Sequence, residues 1–473
     1  GPDQELSERT LAVLARAKSQ ALERIPQARV QEILAGLGQI REAYGAKSVV
    51  AVLDAPFFII FLAAVFLLSP LLALVVVTAM VATLAAGAAT LHRQKGLAQD
   101  LQSANAAHRG FVASMVRGAD TVRAFAASGF AARIWRATAG KLGRRQSKAA
   151  GTQGASDSMQ QTIAAFLRIA VYALGAKQVV DGDLSVGGLI GVSILASKAH
   201  QQVSVFMQTS FSLARAGGIL RNLRDFLTLP VEPVSGAALR RYSGRVEFKD
   251  VAFMHPGATG PLFESLSLDL QPGTLLCVTG GNATGKTTLA RLLAGLLEPA
   301  RGQILVDGVD LRQVAAEWWR KQIMYMPQEP VFLTASIREN ILLANPELPE
   351  QRLNKILRAA GLRDYLDRTP EGLQAVMAEG GRNLSLGVRR RIALARALAA
   401  KGKLAVFDEP TEGLDGTGAA AVYGVLNSLA KAETTMAVFT YDSNILKAAH
   451  LVLDLNHKPA PRLVKPQSGE AAQ

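Results

Sequence analysis

Hydrophobic patterning divides this chain into two parts. Over residues 55–91 no charged side chain occurs across about 37 positions, close to twice the roughly 20 residues that one helical membrane crossing needs. Ser69-Pro70 falls near the middle of that run, and a proline there breaks a helix. Two membrane helices joined by a very short turn are predicted. Residues 5–50, ahead of the run, are polar and Ala-rich. Apolar positions recur at helical spacing in LAVLARAKSQALERI and ARVQEILAGLGQIREAYG, with Pro26 between them, so an amphipathic helical pair is expected. Residues 92–155 carry many Arg and Lys and read as two long helices with a turn at Gly129. A second, less apolar membrane pair follows over about 162–180 and 184–213, turning at Asp181-Gly182-Asp183. Arg168 and Lys177 fall inside the first of these. At such depth an ionisable side chain either snorkels to the interface or faces a water-filled cavity.

Beyond residue 225 the pattern changes. A linker bearing proline and glycine spans 226–243, and VEFKDVAF then alternates like a strand. Strand–helix units continue to about residue 456, and the polar tail 457–473, with several prolines, is expected to be disordered. The predicted fold class is an α-helical membrane domain over 1–225 followed by an α/β P-loop NTPase domain over 244–456.

Composition agrees with a membrane protein. Hydrophobic residues make up 49% of the chain and charged residues 19%, with a mean hydropathy of +0.19. The net charge of +14 would suggest nucleic acid in a soluble protein, but the run at 55–91 argues against a soluble nucleic-acid enzyme. Lys and Arg concentrated on cytoplasmic segments account for the charge, which puts 1–50 and 92–155 inside and the two short turns outside. The basic segments are also suited to anionic lipid or to cargo. Cys277 is the single cysteine and lies in an apolar strand, so it is read as a small buried hydrophobe. The opening Gly-Pro-Asp-Gln reads as an interior start, with residues missing upstream.

The chemistry centres on GGNATGKTT, from Gly280 through Gly281, Asn282, Ala283, Thr284, Gly285, Lys286 and Thr287 to Thr288. It follows the apolar LLCVT and opens into TTLARLLAGLL, giving strand, tight loop and helix. Glycines let successive backbone N–H groups close round a phosphate, and the following helix points its positive end at the same place. Lys286 would reach the β and γ phosphates, and the Thr287 hydroxyl would ligate Mg²⁺. A second strand, in KLAVFDEPTEGLD, ends in Asp408 and Glu409. Asp408 would hold the Mg²⁺ shell and Glu409 would polarise the attacking water. Between them, YMPQEPVFLTASIREN offers Gln328 to the metal or the water. The cofactors implied are ATP and Mg²⁺.

In that order the P-loop, MPQEPVFLTASIREN, LSLGVRRRIALARAL and FDEPTEGLD resemble the nucleotide-binding domain of an ATP-binding cassette (ABC) transporter. The membrane pairs ahead of it resemble the exporter type. LDAPFFIIFLAAVFLLSPLLAL, GADTVRAF and GDLSVGGLIGVSILASKA are similar to the membrane domain of type I secretion exporters. The resemblance implies a bacterial inner-membrane protein with its ATPase domain in the cytoplasm. It also implies a homodimer or heterodimer, a polypeptide cargo, a membrane-fusion adaptor and an outer-membrane channel. Six membrane helices are expected of the family and four are found. The first two are therefore expected to be truncated or on another chain, and the turns near residues 25 and 129 are expected to be the helices that touch the ATPase domains.

The motifs depart from the family at three places. Its signature is LSGGQ, and here the chain reads Leu384-Ser385-Leu386-Gly387-Val388. Ser385 and Gly387 are kept and would meet a γ phosphate across a dimer, while Leu386 and Val388 add bulk and remove an amide. The family's switch histidine is replaced by Tyr441, a neutral donor of one hydrogen bond. His255 stands at the adenine-stacking position, where tyrosine is usual. With Glu409 intact, the expectation is a slow or partner-dependent ATPase. Two rival readings are a small-molecule or lipid exporter and a low-turnover regulatory subunit of a heterodimer.

Overall fold

The computed structural model describes residues 2–25, 27–54, 56–233 and 236–464. The break expected at Pro26, residues 234–235 of the linker and the end of the tail lie outside the described residues. The chain forms two compact units, one of residues 1–15 and 23–229, the other of 16–22 and 230–473.

The first unit is helical: α1 (Pro2–Arg16), α2 (Ser19–Glu23), α3 (Gln27–Ala43), α4 (Ala46–Asp54), α5 (Phe57–Leu68), α6 (Pro70–Arg117), α7 (Ala119–Ala124), α8 (Ser128–Val180) and α9 (Val186–Leu227). α1 and α2 cross the boundary between the units. The break at Ser69-Pro70 is where the pattern put it. Ser69 is extended, and its hydroxyl accepts from the N–H of Leu72, while Pro70 opens α6, the position where a missing N–H costs nothing. From there the expectation fails. α6 runs unbroken for 48 residues and α8 for 53, each joining its apolar and polar halves in one helix. The turn expected at Gly129 lies instead at 118–127, around α7, and Gly129 sits in the first turn of α8. Gly118 and Ala127 flank α7 in non-helical geometry, which is what separates the two long helices.

Residues 29–68, 70–117 and 128–180 are long and apolar enough to cross a membrane by length and composition. α9, which holds the expected fourth crossing, is not among these three. Its apolar run stops at Ala196, ahead of Ser197, Lys198, His200, Gln201 and Gln202. α9 packs against α5, α6 and α8 through Val65, Leu72, Val76, Met80, Leu167, Val171, Val192 and Val203. Small residues allow close approach: a Cβ on Gly175 would sit 2.3 Å from Leu189 Cδ1. Polar pairs tie the helices together where water is scarce. Ser69 donates to Gln178 at 2.8 Å, Ser204 donates to Gln160 at 2.8 Å, and Thr90 donates to Ser156 at 3.3 Å. Arg168 and Lys177 are exposed on this unit's surface.

The second unit carries twelve strands among the described residues: β1 (Val246–Phe253), β2 (Phe263–Leu270), β3 (Leu275–Thr279), β4 (Arg301–Val306), β5 (Val309–Asp310), β6 (Ile323–Met326), β7 (Ala335–Ser336), β8 (Val376–Met377), β9 (Leu404–Asp408), β10 (Thr435–Phe439), β11 (Leu451–Asp454) and β12 (Arg462–Val464). Its helices are α10 (Lys286–Leu293), α11 (Ala316–Lys321), α12 (Ile337–Leu342), α13 (Glu350–Ala359), α14 (Arg363–Arg368), α15 (Leu386–Ala400), α16 (Gly416–Lys431) and α17 (Ser443–Ala448). The main sheet has the order β12-β11-β3-β10-β9-β6. It is parallel except for β12, which pairs antiparallel with β11. An antiparallel sheet, β2-β1-β4-β5, lies beside it.

Strands buried on both faces must be apolar throughout, and LLCVT, LAVFD and TMAVF meet that demand. Their alternation feeds two separate cores. Leu276, Val278, Leu404, Val406, Ala437 and Phe439 pack with α10 and the antiparallel sheet. Leu275, Cys277, Ala405, Phe407, Met436 and Val438 pack with α12, α13, α15 and α16. Cys277 is fully buried, and that burial pushes its thiol up to about 12.

Three expected boundaries shift. α9 runs to Leu227, two residues into the expected linker. β12 lies within the tail expected to be disordered, because it completes the edge of the main sheet. Residues 16–22 belong to the second unit: Lys18 N–H donates to Pro230 O at 2.9 Å, Lys18 Nζ pairs with Glu298 at 2.7 Å, and Glu232 N–H donates to Arg16 O. The short helix near the expected turn at 25 is therefore α2, a few residues earlier.

Trp319 anchors the first of the two cores. It is 1% exposed, donates from Nε1 to Leu293 O at 3.0 Å and meets Tyr242 edge-on at 5.2 Å. Trp319→Ala is expected to destabilise this unit by about 3–5 kcal/mol, read as a lower urea midpoint by near-ultraviolet circular dichroism in detergent. An unchanged midpoint would show that the ring is no anchor.

Candidate functional site

The parallel strands β3, β10, β9 and β6 end on one edge of the main sheet, and each delivers part of a cavity of about 770 Å³. After β3 comes the glycine loop. Gly280 has φ +148°, and a Cβ there would stand 2.7 Å from Thr284 Oγ1 and 2.9 Å from Leu455 Cβ. Gly285 has φ +110°, and a Cβ there would stand 2.9 Å from Leu262 Cδ2. Only glycine fits either place without strain. The loop hands over directly to α10, whose first residue is Lys286. Gly281, Asn282, Ala283, Gly285, Lys286, Thr287 and Thr288 line the cavity, and Thr284 closes the loop by donating to Gly281 O at 2.8 Å.

β9 ends in the two carboxylates. Asp408 is 1% exposed, and neither of its oxygens has a partner at full hydrogen-bond geometry. Burial pushes its carboxyl up to about 6; the Glu409 charge adds to this, while the Thr287 hydroxyl and Lys286 pull the other way. Glu409 turns back with φ +47°. Its N–H donates to Phe439 O at 2.8 Å, and its carbonyl accepts from Arg390 Nη1 at 2.9 Å. The Glu409 side chain meets Lys286 Nζ at 2.9 Å. From the end of β6 comes Gln328. Its Oε1 accepts from the Thr287 hydroxyl at 3.4 Å, and its Nε2 donates to Glu412 at 3.2 Å.

Tyr441 follows β10. Its ring lies over Lys286 Nζ at 3.6 Å from the centroid, and its hydroxyl donates to Gly280 O. His255, from the loop after β1, lines the same cavity and stands edge-on to Phe253 at 5.0 Å. Ser385 and Gly387 do not line it. Ser385 caps α15 by accepting from Val388 N–H at 3.4 Å, and the Leu386 beside it is exposed. One copy of the chain thus brings together every expected site residue except those two.

Sequence reading passed over several residues that hold the site. Buried Arg390 braces both Glu409 and Glu412, meeting Glu412 at 2.9 Å. Asn456 Oδ1 accepts from the Gly281 N–H at 2.8 Å. Thr411 and Tyr423 both donate to Asp442, fixing the turn after Tyr441. The run of three arginines in the signature helix was the available signal for Arg390; Asn456 had none.

The donor set suits Mg²⁺. Asp408 offers two buried oxygens with no partner, and Thr287 and Gln328 offer neutral oxygens beside them. Among the described residues no cluster of three or more His, Cys, Asp or Glu forms a metal site. Mg²⁺ takes one or two carboxylates and completes its shell from water and substrate phosphate.

Two family models match: the ABC transporter transmembrane region over residues 10–199 and the ABC transporter over 263–412. The chain belongs to the ABC transporter family. The leukotoxin export ATP-binding protein LtxB of Aggregatibacter actinomycetemcomitans is 30% identical over 82% of this chain and 54% of its own length. The alpha-hemolysin translocation ATP-binding protein HlyB of Escherichia coli is 30% identical over 90% of this chain and 60% of its own length. This chain thus spans little more than half of those relatives. A bacterial Atm1-family ABC exporter solved with ATP bound superposes with a TM-score of 0.86. At 19% identity, with all of this chain and 86% of that one covered, it shows the shared fold.

The buried carboxylate of this ABC transporter carries a pH signature. Asp408 ionises near 6 in the folded protein against an ordinary 3.8. Between those values the folded state holds the extra proton, so metal-free stability falls as pH rises through the window. The difference corresponds to about 3 kcal/mol above that window. Asp408→Asn is expected to raise the metal-free melting temperature at pH 7.5, with the gain vanishing near pH 4. A gain of equal size at both would refute the burial argument.

Proposed function

We propose that this chain is the ATP-hydrolysing subunit of an exporter that drives a polypeptide across the bacterial inner membrane, with its ATPase domain in the cytoplasm. The observation that carries the reading is the meeting of the glycine loop, Lys286 and the Glu409 carboxylate in one cavity, with the buried carboxylate of Asp408 at the end of the strand that leads into it. The loop amides and Lys286 hold the phosphates, and His255 offers its ring to the base. Asp408, Thr287 and Gln328 would hold Mg²⁺, which would supply charge neutralisation to the phosphates. Glu409 orients and deprotonates the attacking water once its carboxylate leaves Lys286. Ser385 and Gly387, at the N-terminus of α15, reach the γ phosphate of a second subunit, so a dimer is the working form.

A polypeptide cargo is supported by likeness to a leukotoxin export protein and an alpha-hemolysin translocation protein that extends through the membrane region. The same likeness supports an adaptor and an outer-membrane channel as partners. A second reading, a low-turnover regulatory subunit paired with a different ABC chain, is favoured by Tyr441 and by the altered signature at Leu386 and Val388.

The test is ATP turnover by the protein reconstituted in lipid vesicles, alone and as Glu409→Gln. Loss of about 10²-fold or more in the variant is expected for removal of a general base. ATP binding without turnover in either protein would sink the self-sufficient reading and favour the heterodimer.

A further inference from the structure

Lys286 is held by three neighbours. Its ammonium meets Glu409 Oε1 at 2.9 Å and Gly280 O at 3.0 Å, and the Tyr441 ring covers it at 3.6 Å. Glu409 stands as the anion where a phosphate oxygen would otherwise stand. Tyr441 adds a second contact to the same loop, donating to Gly280 O, and its hydroxyl lies 3.8 Å from where a Cβ on Gly281 would be. A phosphate entering the loop must take Lys286 away from the carboxylate and displace the ring.

The stem on which Tyr441 stands is rigid. Thr440 is buried and its N–H donates to Val278 O at 3.0 Å. Asp442 accepts from Thr411 at 3.0 Å and from Tyr423 at 2.6 Å, and it caps α17. The side chain itself is 49% exposed, so rotation about its own bonds carries the ring into solvent without moving the backbone. A cation under an aromatic face is attracted to it, most strongly where water is scarce, and Lys286 is only 10% exposed.

We propose that Tyr441 is a gating side chain that competes with the nucleotide for Lys286. The proposal rests on the P-loop reading given above. It assigns Tyr441 a role opposite to that of a phosphate ligand: removing it strengthens nucleotide binding. Because Lys286 serves the β phosphate that ATP and ADP share, both nucleotides gain alike.

The experiment is equilibrium dialysis of radiolabelled ATP and ADP, without Mg²⁺, against the full chain in detergent. The variants are Tyr441→Ala, Tyr441→Phe and, as a control, Lys286→Ala. Both Kd values are expected to fall about three- to tenfold in Tyr441→Ala. In Tyr441→Phe, which keeps the ring and loses the hydroxyl, a smaller fall is expected. A Kd for ATP that rises in Tyr441→Ala while that for ADP stays put would overturn the proposal and make Tyr441 a γ-phosphate ligand. Unchanged values for both would overturn it too. Binding by none of the proteins, or binding untouched by Lys286→Ala, would overturn the P-loop reading itself, and the gate with it.

Discussion

The parallel register of β6, β9, β10 and β3 is the constraint on which the rest of the site depends. Parallel strands end on the same edge, and each of these four leads there into the site: β6 to Gln328, β9 to Asp408 at its end and Glu409 beyond it, β10 to Tyr441, and β3 to the loop that begins at Gly280. In open α/β sheets ligands collect at this carboxyl edge, because the loops leaving the strands lead into helices whose positive ends face it. The packing that fixes the register also sets the electrostatics. β9 is buried along its whole length, so the carboxylate at its end is carried out of water along with its apolar neighbours. The raised pKa of Asp408 follows from the core as directly as the strand does.

The two carboxylates at that edge are handled differently. Glu409 is neutralised within the chain by Lys286, so the site's lysine and the proposed base are paired with each other. Asp408 has no such partner and is left to burial. A divalent cation resolves that tension, and a phosphate chain resolves the other by replacing Glu409 at the lysine. Binding of metal and nucleotide would therefore do more than fill a cavity. It would exchange one set of charge partners for another and release the Glu409 side chain for chemistry.

Much of this could be read in the sequence because the chemistry sits next to its strands. GGNATGKTT and FDEPTEGLD each state a strand end and a reactive group in consecutive residues, and the break at Ser69-Pro70 is a local event. What escaped depends on distance along the chain or on a missing stop signal. Arg390 reaches Glu409 and Glu412 from another element, and Asn456 reaches Gly281 across 175 positions. The polar half of α6 continues its apolar half because nothing from 92 to 117 ends a helix, whereas composition changes sharply at that point and suggests a boundary. β12 looked like tail because three residues of edge strand have little pattern of their own; pairing with β11 defines it.

Glu409 shows how the frame and the moving parts divide. Its backbone is left-handed, at φ +47°, which costs a residue other than glycine roughly 1 kcal/mol or more. Such a conformation persists only where the surroundings over-determine it, and here both main-chain groups are held, the N–H by Phe439 and the carbonyl by Arg390. The Cα is thereby fixed while the carboxylate remains able to leave Lys286 by side-chain rotation alone. Tyr441 is built in a similar way, with neighbours Thr440 and Asp442 held in place and a half-exposed ring. Nucleotide loading then needs no rearrangement of the sheet. Two side chains on rigid stems give up one ammonium, and the barrier to loading is set by those local contacts.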